Sequence, residues 1–274
     1  MNLQNPREIK QLLISHGMWA RKSLGQHFLI DEKALANIIE TANISSEDTI
    51  LEIGPGLGVL TRELLKHAGQ VVAVEFDPKM AELLSSSISS KKMIVKNEHI
   101  LKFNTATLPK NYKVVANLPY YITSPIIRNF LEAKNKPESM TLLIQKEVAE
   151  RMVSSPPNSV LAVAIQYYGK PKIIDIVPAR SFWPPPKVDS AIINIDVNQN
   201  LPLNGKEKDF FRVVKAGFGE RRKKLVNSLT GGLQISKEET IKILGESGIG
   251  IDARAEELSL DDWLSLYNII RGET

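Results

Sequence analysis

Four consecutive residues, Asn117-Leu118-Pro119-Tyr120, carry the groups best suited to holding a planar amine. An amide side chain presents an acceptor and a donor together, and proline fixes the direction of the neighbouring carbonyls of Asn117 and Leu118. Tyr120 adds a flat aromatic face. An acceptor pair beside a stacking ring matches the exocyclic amino group of a base flipped out of its stack. Taken alone, the tetrapeptide reads equally as an ordinary strand exit made of turn residues. The apolar run Val114-Val115-Ala116 before it predicts a short buried strand, which Pro119 stops. Asn117 then sits where a strand of an open parallel sheet ends, the edge at which such sheets bind ligands.

A second group lies upstream. Glu52-Ile53-Gly54-Pro55-Gly56-Leu57-Gly58 follows a predicted strand and opens a predicted helix. Glycines there let the backbone turn tightly and approach a ligand. A dinucleotide fingerprint would need its third glycine at position 59, where valine stands. The turn therefore suits a ligand without a diphosphate, such as S-adenosylmethionine. Glu75 ends the next strand, 21 residues after Gly54, where a carboxylate can accept both hydroxyls of a ribose. Glycine turn, strand-end acid and Asn-Leu-Pro-Tyr, in that order on successive strands, leave little room for coincidence.

The elements that must position these groups follow from periodicity. Asn5-Pro6 opens a helix that Gly17 ends, and Arg21 to Leu29 reads as an ordered loop. Asp31 caps a helix with Ala34, Leu35, Ile38 and Ile39 on one face. Strands are expected over 48–53, 71–76, 93–95, 114–116 and 140–144. Helices alternate with them over 59–67, from 78 after the Asp77 cap, from 124 after the strand exit, and over 146–153. That alternation predicts an α/β doubly wound sheet. A helix over 160–168 and strands over 173–177 and 188–195 follow, with the proline-rich 178–187 between those strands expected to be irregular. A domain boundary falls in the polar stretch 198–205, so residues 1–200 form one domain and 206–274 a small helical one. Its helices are expected near 206–217, 219–230, 236–247 and 259–270.

At 274 residues and a net charge of +4, the composition is that of a globular protein with a sizeable core. The absence of cysteine excludes disulfides, thiolate zinc sites and cysteine nucleophiles, and it suits a reducing compartment. Met1 to Trp19 lacks the apolar core of a signal peptide, and the longest aliphatic run, Val160 to Ile165, is too short to span a bilayer. A cytoplasmic protein with no membrane segment and no metal is expected. Charge is unevenly spread, with eight Lys/Arg against three acids between Lys206 and Lys224. Such a patch favours a polyanionic partner or is simply a solvated helix face.

The chain resembles the ribosomal RNA adenine dimethyltransferases of the bacterial small-subunit type over nearly its whole length. The resemblance is carried by Lys22 to Leu29, Glu52 to Gly58, Glu75, Asn117 to Tyr120, Gln145 to Arg151, Phe182 to Ser190 and Phe218 to Lys224. It implies a Rossmann-like, class I S-adenosylmethionine-dependent methyltransferase sheet whose last two strands form a reversed hairpin, followed by a small all-helical C-terminal domain. It implies cofactor contacts from His27, Leu29, Glu52, Gly54, Gly56, Gly58, Glu75, Phe76, His99 and Asn117. The family usually has aspartate where His99 aligns, and Glu98 is the alternative contact for the cofactor's adenine. Asn117, Leu118, Pro119 and Tyr120 would form the catalytic element. Phe182 is the candidate for the second stacking face, or is plain core packing. Arg221, Arg222, Lys223 and Lys224 would contact RNA. The implied partner is small-subunit rRNA within the 30S particle or its precursor, met by a monomer. The rival readings are a large-subunit adenine methyltransferase of the macrolide-resistance type and a non-catalytic assembly factor on the same fold.

Overall fold

The computed structural model describes residues 2–21, 25–220 and 222–272. Helix α1, Pro6–Ser15, starts as its sequence dictates: Asn5 accepts from the Arg7 N–H and Pro6 occupies the first turn. Phe28–Leu29 forms a short strand, β1, and Asp31 caps α2, Glu32–Ala42, which buries Ala34, Leu35 and Ile38. Then come β2 (Thr49–Ile53), α3 (Val59–His67), β3 (Gln70–Glu75), α4 (Pro78–Ser87) and β4 (Met93–Asn97). β5 (Lys113–Asn117), α5 (Thr123–Leu131), β6 (Ser139–Gln145) and α6 (Lys146–Met152) continue the alternation. The remaining elements are α7 (Val160–Tyr168), β7 (Gly169–Val177), β8 (Phe182–Trp183), β9 (Ser190–Val197), α8 (Glu207–Gly217), α9 (Leu225–Leu233), α10 (Lys237–Glu246) and α11 (Leu260–Arg271).

Seven strands form one sheet in the order β4-β3-β2-β5-β6-β9-β7. From β4 to β6 neighbouring strands are parallel, and β9 runs antiparallel to β6. β2, β3, β5 and β6 are buried almost throughout, as Ile50, Leu51, Val71, Val114, Val115 and Leu142 show, whereas the edge strand β4 is largely exposed. Their carboxyl ends, Ile53, Glu75, Asn97 and Asn117, fall along one edge. Pro171 is tolerated because β7 is an edge strand, where a missing N–H breaks no ladder.

The proline-rich segment is more ordered than its composition suggests. Phe182 and Trp183 pair antiparallel with Leu29 and Phe28, making a second, two-stranded sheet. Neither partner shows a strand pattern by itself, since two residues carry no periodicity. The chain also divides differently from the expected boundary. One compact unit takes in Lys170–Val197 with the segment ending at Ala149; the other takes Glu150–Gly169 together with the chain from Asn198 onward. α7 joins the helical unit because it is apolar nearly all round, burying Ala162, Val163, Ile165 and Tyr167, and Tyr167 packs on Phe210 at 5.3 Å between ring centres. In that unit α9 starts at Leu225 rather than 219: Phe218 stacks on the buried Trp263, and Lys224 is extended.

Gly58, with φ of +80°, is where the glycine turn meets the core. A Cβ there would come within 2.6 Å of Leu84 and 2.9 Å of Ile88. Gly58→Ala combines left-handed strain with overpacking and is expected to cost about 2–4 kcal/mol of unfolding free energy. Urea denaturation measures it; a loss below about 1 kcal/mol would show that α4 yields easily.

Candidate functional site: a cleft at the carboxyl edge of the sheet

One cleft collects most of the expected residues. His27, Leu29, Glu52, Gly54, Gly56, Glu75, Phe76, His99, Asn117 and Pro119 all line it, together with Glu98. The glycine turn forms its floor with positive φ at Gly54 and Gly56, and a Cβ on Gly54 would meet only Pro119, at 4.0 Å. Lys22, Ser23, Leu24 and Arg221 lie outside the described residues.

Asn117 is held in one orientation. Its Nδ2 donates to the His27 carbonyl at 3.1 Å, so its Oδ1 is the atom left for a ligand. Leu118 donates its N–H to the Leu143 carbonyl at 3.0 Å and is 2 % exposed. The carbonyl of Leu118 accepts no hydrogen bond among the described residues. Two acceptors of adjacent residues thus stand free where β5 ends.

Tyr120 is half-buried and, unlike Asn117 and Pro119, does not line the cleft. Its hydroxyl shares a hydrogen bond of 2.6 Å with Ser190 Oγ, and its ring stacks on His27 at 5.9 Å between centres. Burial pushes its pKa up, so it stays a neutral phenol. His27 Nδ1 donates to the Pro184 carbonyl at 2.6 Å, since a carbonyl only accepts. Ser181 accepts the Ile30 N–H through its backbone and donates its hydroxyl to Asp31. Asp189 caps Ala179 and accepts the Lys146 N–H. The Phe182–Ser190 run therefore braces His27 and Tyr120 from behind.

That corrects the expectation for Phe182. The ring is 2 % exposed and lies in the core with Leu29, Ile38, Val115 and Ile192, so it presents no face to the cleft. β8 pairs with β1, and the alternation of the pair turns Phe182 inward. Tyr121, which the sequence reading passed over, is 58 % exposed and lines the cleft beside Pro119. Its signal was present in Asn-Leu-Pro-Tyr-Tyr, but which of two adjacent rings faces out depends on the short 3-10 turn of Tyr120–Ile122.

Two buried carboxylates set the electrostatics. Glu75 Oε2 accepts from the Gly56 N–H at 3.2 Å and Oε1 from the Asp77 N–H at 2.9 Å. One lone pair remains on each oxygen, the pair a vicinal diol needs. Burial raises the Glu75 pKa against the pull of these backbone donors. Glu52 is 1 % exposed and its Oε2 has no hydrogen-bond partner. Burial, with the Thr61 hydroxyl opposing and the Glu75 charge adding, pushes the Glu52 pKa to about 8. An unpaired buried acid is costly unless a ligand partners it, so this cleft fits a cationic group.

In the basic segment, Lys223 pairs with Glu220 and Lys224 with Asp252, while the Arg222 carbonyl accepts from Arg254. Arg222 is exposed. The described helices include none long and apolar enough to cross a membrane, and no cluster of three or more metal-ligating side chains occurs among the described residues.

A parallel sheet with a reversed strand, a glycine turn after the first parallel strand and an acid ending the next define a class I S-adenosylmethionine-dependent methyltransferase. The profile described as "Ribosomal RNA adenine dimethylase" matches residues 17–272, and the chain belongs to that family. A "Ribosomal RNA small subunit methyltransferase A" of Dehalococcoides mccartyi is 45 % identical over 94 % of this chain and 91 % of its own length. Among solved structures, a dimethyladenosine transferase from Plasmodium falciparum is similar with a TM-score of 0.79, at 25 % identity over 89 % of this chain and 98 % of its own. The 23S rRNA methyltransferase ErmE is similar with a TM-score of 0.73, at 30 % identity over 89 % of this chain and 99 % of its own. The fold is thus shared by relatives named for both ribosomal subunits.

Between pH 4.5 and about 8 the unfolded chain has released the Glu52 proton while the folded chain keeps it. Raising the pH across that window therefore lowers stability, and Glu75 adds in the same direction. Without added ligand, the melting temperature is expected to fall from about pH 5 to about pH 8, and Glu52→Gln should flatten the slope. An equal slope in wild type and Glu52→Gln would show that Glu52 is ionised in the folded chain.

Proposed function

We propose that this protein dimethylates N6 of two adjacent adenines in the hairpin loop near the 3′ end of small-subunit rRNA, using S-adenosylmethionine. The observation that carries the reading is the Asn117 amide, turned by the His27 carbonyl so that Oδ1 and the neighbouring Leu118 carbonyl are both free at the strand edge. A donor set of two acids and a glycine cradle fits the cofactor, whose sulfonium and ammonium groups are cationic. Glu75 would take the ribose hydroxyls, Glu52 would lie towards the cationic end, and His27, Leu29 and Phe76 would close the walls. Gly58 acts indirectly, by packing the turn.

When bound, S-adenosylmethionine supplies an electrophilic methyl on a positive sulfur. The chain's own task is to make a weak nucleophile competent. The adenine amine delocalises its lone pair into the ring. Accepting its two N–H groups at Asn117 Oδ1 and the Leu118 carbonyl favours a pyramidal nitrogen with the lone pair turned outward. Pro119 keeps those acceptors in place as the base enters, so orientation costs little at the moment of reaction. Tyr120 would be the stacking ring of the element, and Tyr121, not Phe182, is the exposed aromatic that lines the cleft; such stacking is worth about 1–3 kcal/mol per base. No residue here needs to act as a base, because a methylated ammonium on an arylamine loses its proton readily to water.

The small-subunit assignment, rather than the large-subunit one, draws on the sequence relative, since the fold is common to both. The RNA would be met within the 30S particle or its precursor, by a monomer in the cytoplasm. Arg221, Arg222, Lys223 and Lys224 are the proposed phosphate contacts, with Lys223 and Lys224 exchanging acid partners for phosphate.

Asn117→Ala is expected to keep S-adenosylhomocysteine binding within about tenfold while methyl transfer to unmethylated small subunits falls by about a hundredfold or more. Wild-type turnover would remove Asn117 from the reaction. Replacing Arg222, Lys223 and Lys224 by alanine should weaken RNA binding and reduce the slope of log affinity against log salt by up to about 2–3. An unchanged slope would make the cluster a solvated face.

A further inference from the structure

Helix α1 has two contrasting faces. Ile9 and Leu13 turn inward and, with Met18, pack against Leu57 of the glycine turn and Met80 and Leu83 of α4. Arg7, Lys10, Gln11 and Ile14 recur at helical spacing on the opposite side, and all four are exposed. Neither Arg7 nor Lys10 has an ion-pair partner among the described residues. The single acid of the helix, Glu8, accepts the Asn2 N–H at 2.6 Å.

Beyond the helix the chain throws one large ring into solvent. Gly17, with φ of +63°, turns the backbone, and the Met18 N–H donates to the Leu13 carbonyl at 2.8 Å. Met18 is thereby carried inward, and Trp19 points out with 71 % of its surface exposed, the most of any large hydrophobic side chain among the described residues. The same segment is fastened to the cleft. Arg21 Nη1 lies 3.6 Å from Asp77, and the Arg21 N–H donates to Gln26 Oε1 at 2.7 Å. Gly25, Gln26 and His27 then line the cleft, as does Leu57 beneath α1. The exposed face of α1 and Trp19 therefore form a fixed surface beside the cleft, not a loose arm.

The composition of that surface selects its partner. Two uncompensated cations with one flat ring match a polyanion that also offers unstacked bases. A protein interface would be centred on contiguous apolar area, and a bilayer would need a broader apolar face than Ile14 and Trp19 supply. We propose that this surface is a second RNA contact outside the cleft, where Trp19 stacks on an unpaired nucleotide while Arg7 and Lys10 meet phosphates. The proposal rests on the reading that the base offered to Asn117 belongs to RNA. Stacking reads no base edge, so the contact holds the strand without choosing its sequence and without occupying the reacting site.

Fluorescence isolates the ring, because Trp263 is fully buried and Trp183→Phe removes the half-buried tryptophan. In that background, protein-free small-subunit rRNA added to the full chain should quench Trp19 and shield it from iodide. Trp19→Ala is expected to raise KM for unmethylated small subunits about tenfold, with kcat and S-adenosylhomocysteine affinity unchanged, and Trp19→Phe should restore most of the loss. Replacing Arg7 and Lys10 by alanine should reduce the slope of log affinity against log salt by about 1–2. A Trp19 that stays unquenched at saturating RNA, or an unchanged KM in Trp19→Ala, overturns the proposal. So does a binding defect seen with whole subunits and not with protein-free rRNA, which would assign the surface to a ribosomal protein. A fall in S-adenosylhomocysteine affinity or melting temperature that matches the RNA defect also overturns it, because Trp19 would then only support the cleft. Failure of the underlying reading looks different: the wild-type chain would then transfer no methyl group to small-subunit RNA.

Discussion

Asn117 has one amide to spend, and the His27 carbonyl takes its donor half. On the proposed reading, the hydrogen bond costs the site nothing it needs, because an adenine amine is itself a donor and wants only acceptors. It also leaves no ambiguity about which way the amide faces, since a carbonyl can satisfy Nδ2 and not Oδ1. Everything else at the reacting end supports that bond. β1 holds His27 by pairing with β8, and the Pro184 carbonyl fixes the imidazole. Ser190 holds Tyr120. On the same reading, loosening any of these would return the amide to free rotation and remove the direction it would impose on the nucleophile.

The other end of the cleft is organised by charge. Two acids are buried at that end, and burial above all raises the pKa of both Glu52 and Glu75. The backbone donors of Gly56 and Asp77 relieve Glu75 but nothing relieves Glu52 Oε2. Such unfinished electrostatics discriminates among ligands: a cation can pair with Glu52 once its proton leaves, whereas a pyrophosphate keeps the acid protonated and gains no opposite charge. The glycine spacing argued against a diphosphate on steric grounds, and the buried acids reach the same conclusion from electrostatics.

The Phe182–Ser190 run illustrates how a strongly patterned motif can act away from the ligand. Its prolines and aromatics suggest a surface that touches substrate. In the folded chain, Phe182 fills the core while Pro184 and Ser190 reach the two rings that flank the amide. Similarity to relatives named for different ribosomal subunits fits the proposed division, in which the cleft and its bracing would carry the chemistry and other surfaces the choice of RNA.

The alternation of strands and helices, the N-caps at Asn5, Asp31 and Asp77, and the strand-end positions of Glu75 and Asn117 were legible in the order of residues alone. Those are local matters of periodicity, capping and proline chemistry, and they are read within a few residues. Features that depend on partners distant in the chain emerged with the folded arrangement. The pairing of Phe28 with Trp183, the inward turn of Phe182 and the outward turn of Tyr121 arise from contacts between segments about 150 residues apart, or from a turn too short to have a period. The helix α7 left the domain to which its position assigned it because its all-round apolar surface packs among aromatic side chains that follow 40 or more residues later. The polarity of His99 was likewise beyond the sequence: its Nδ1 accepts the Leu101 N–H, and a histidine's donor and acceptor nitrogens are set by whichever group claims the first of them.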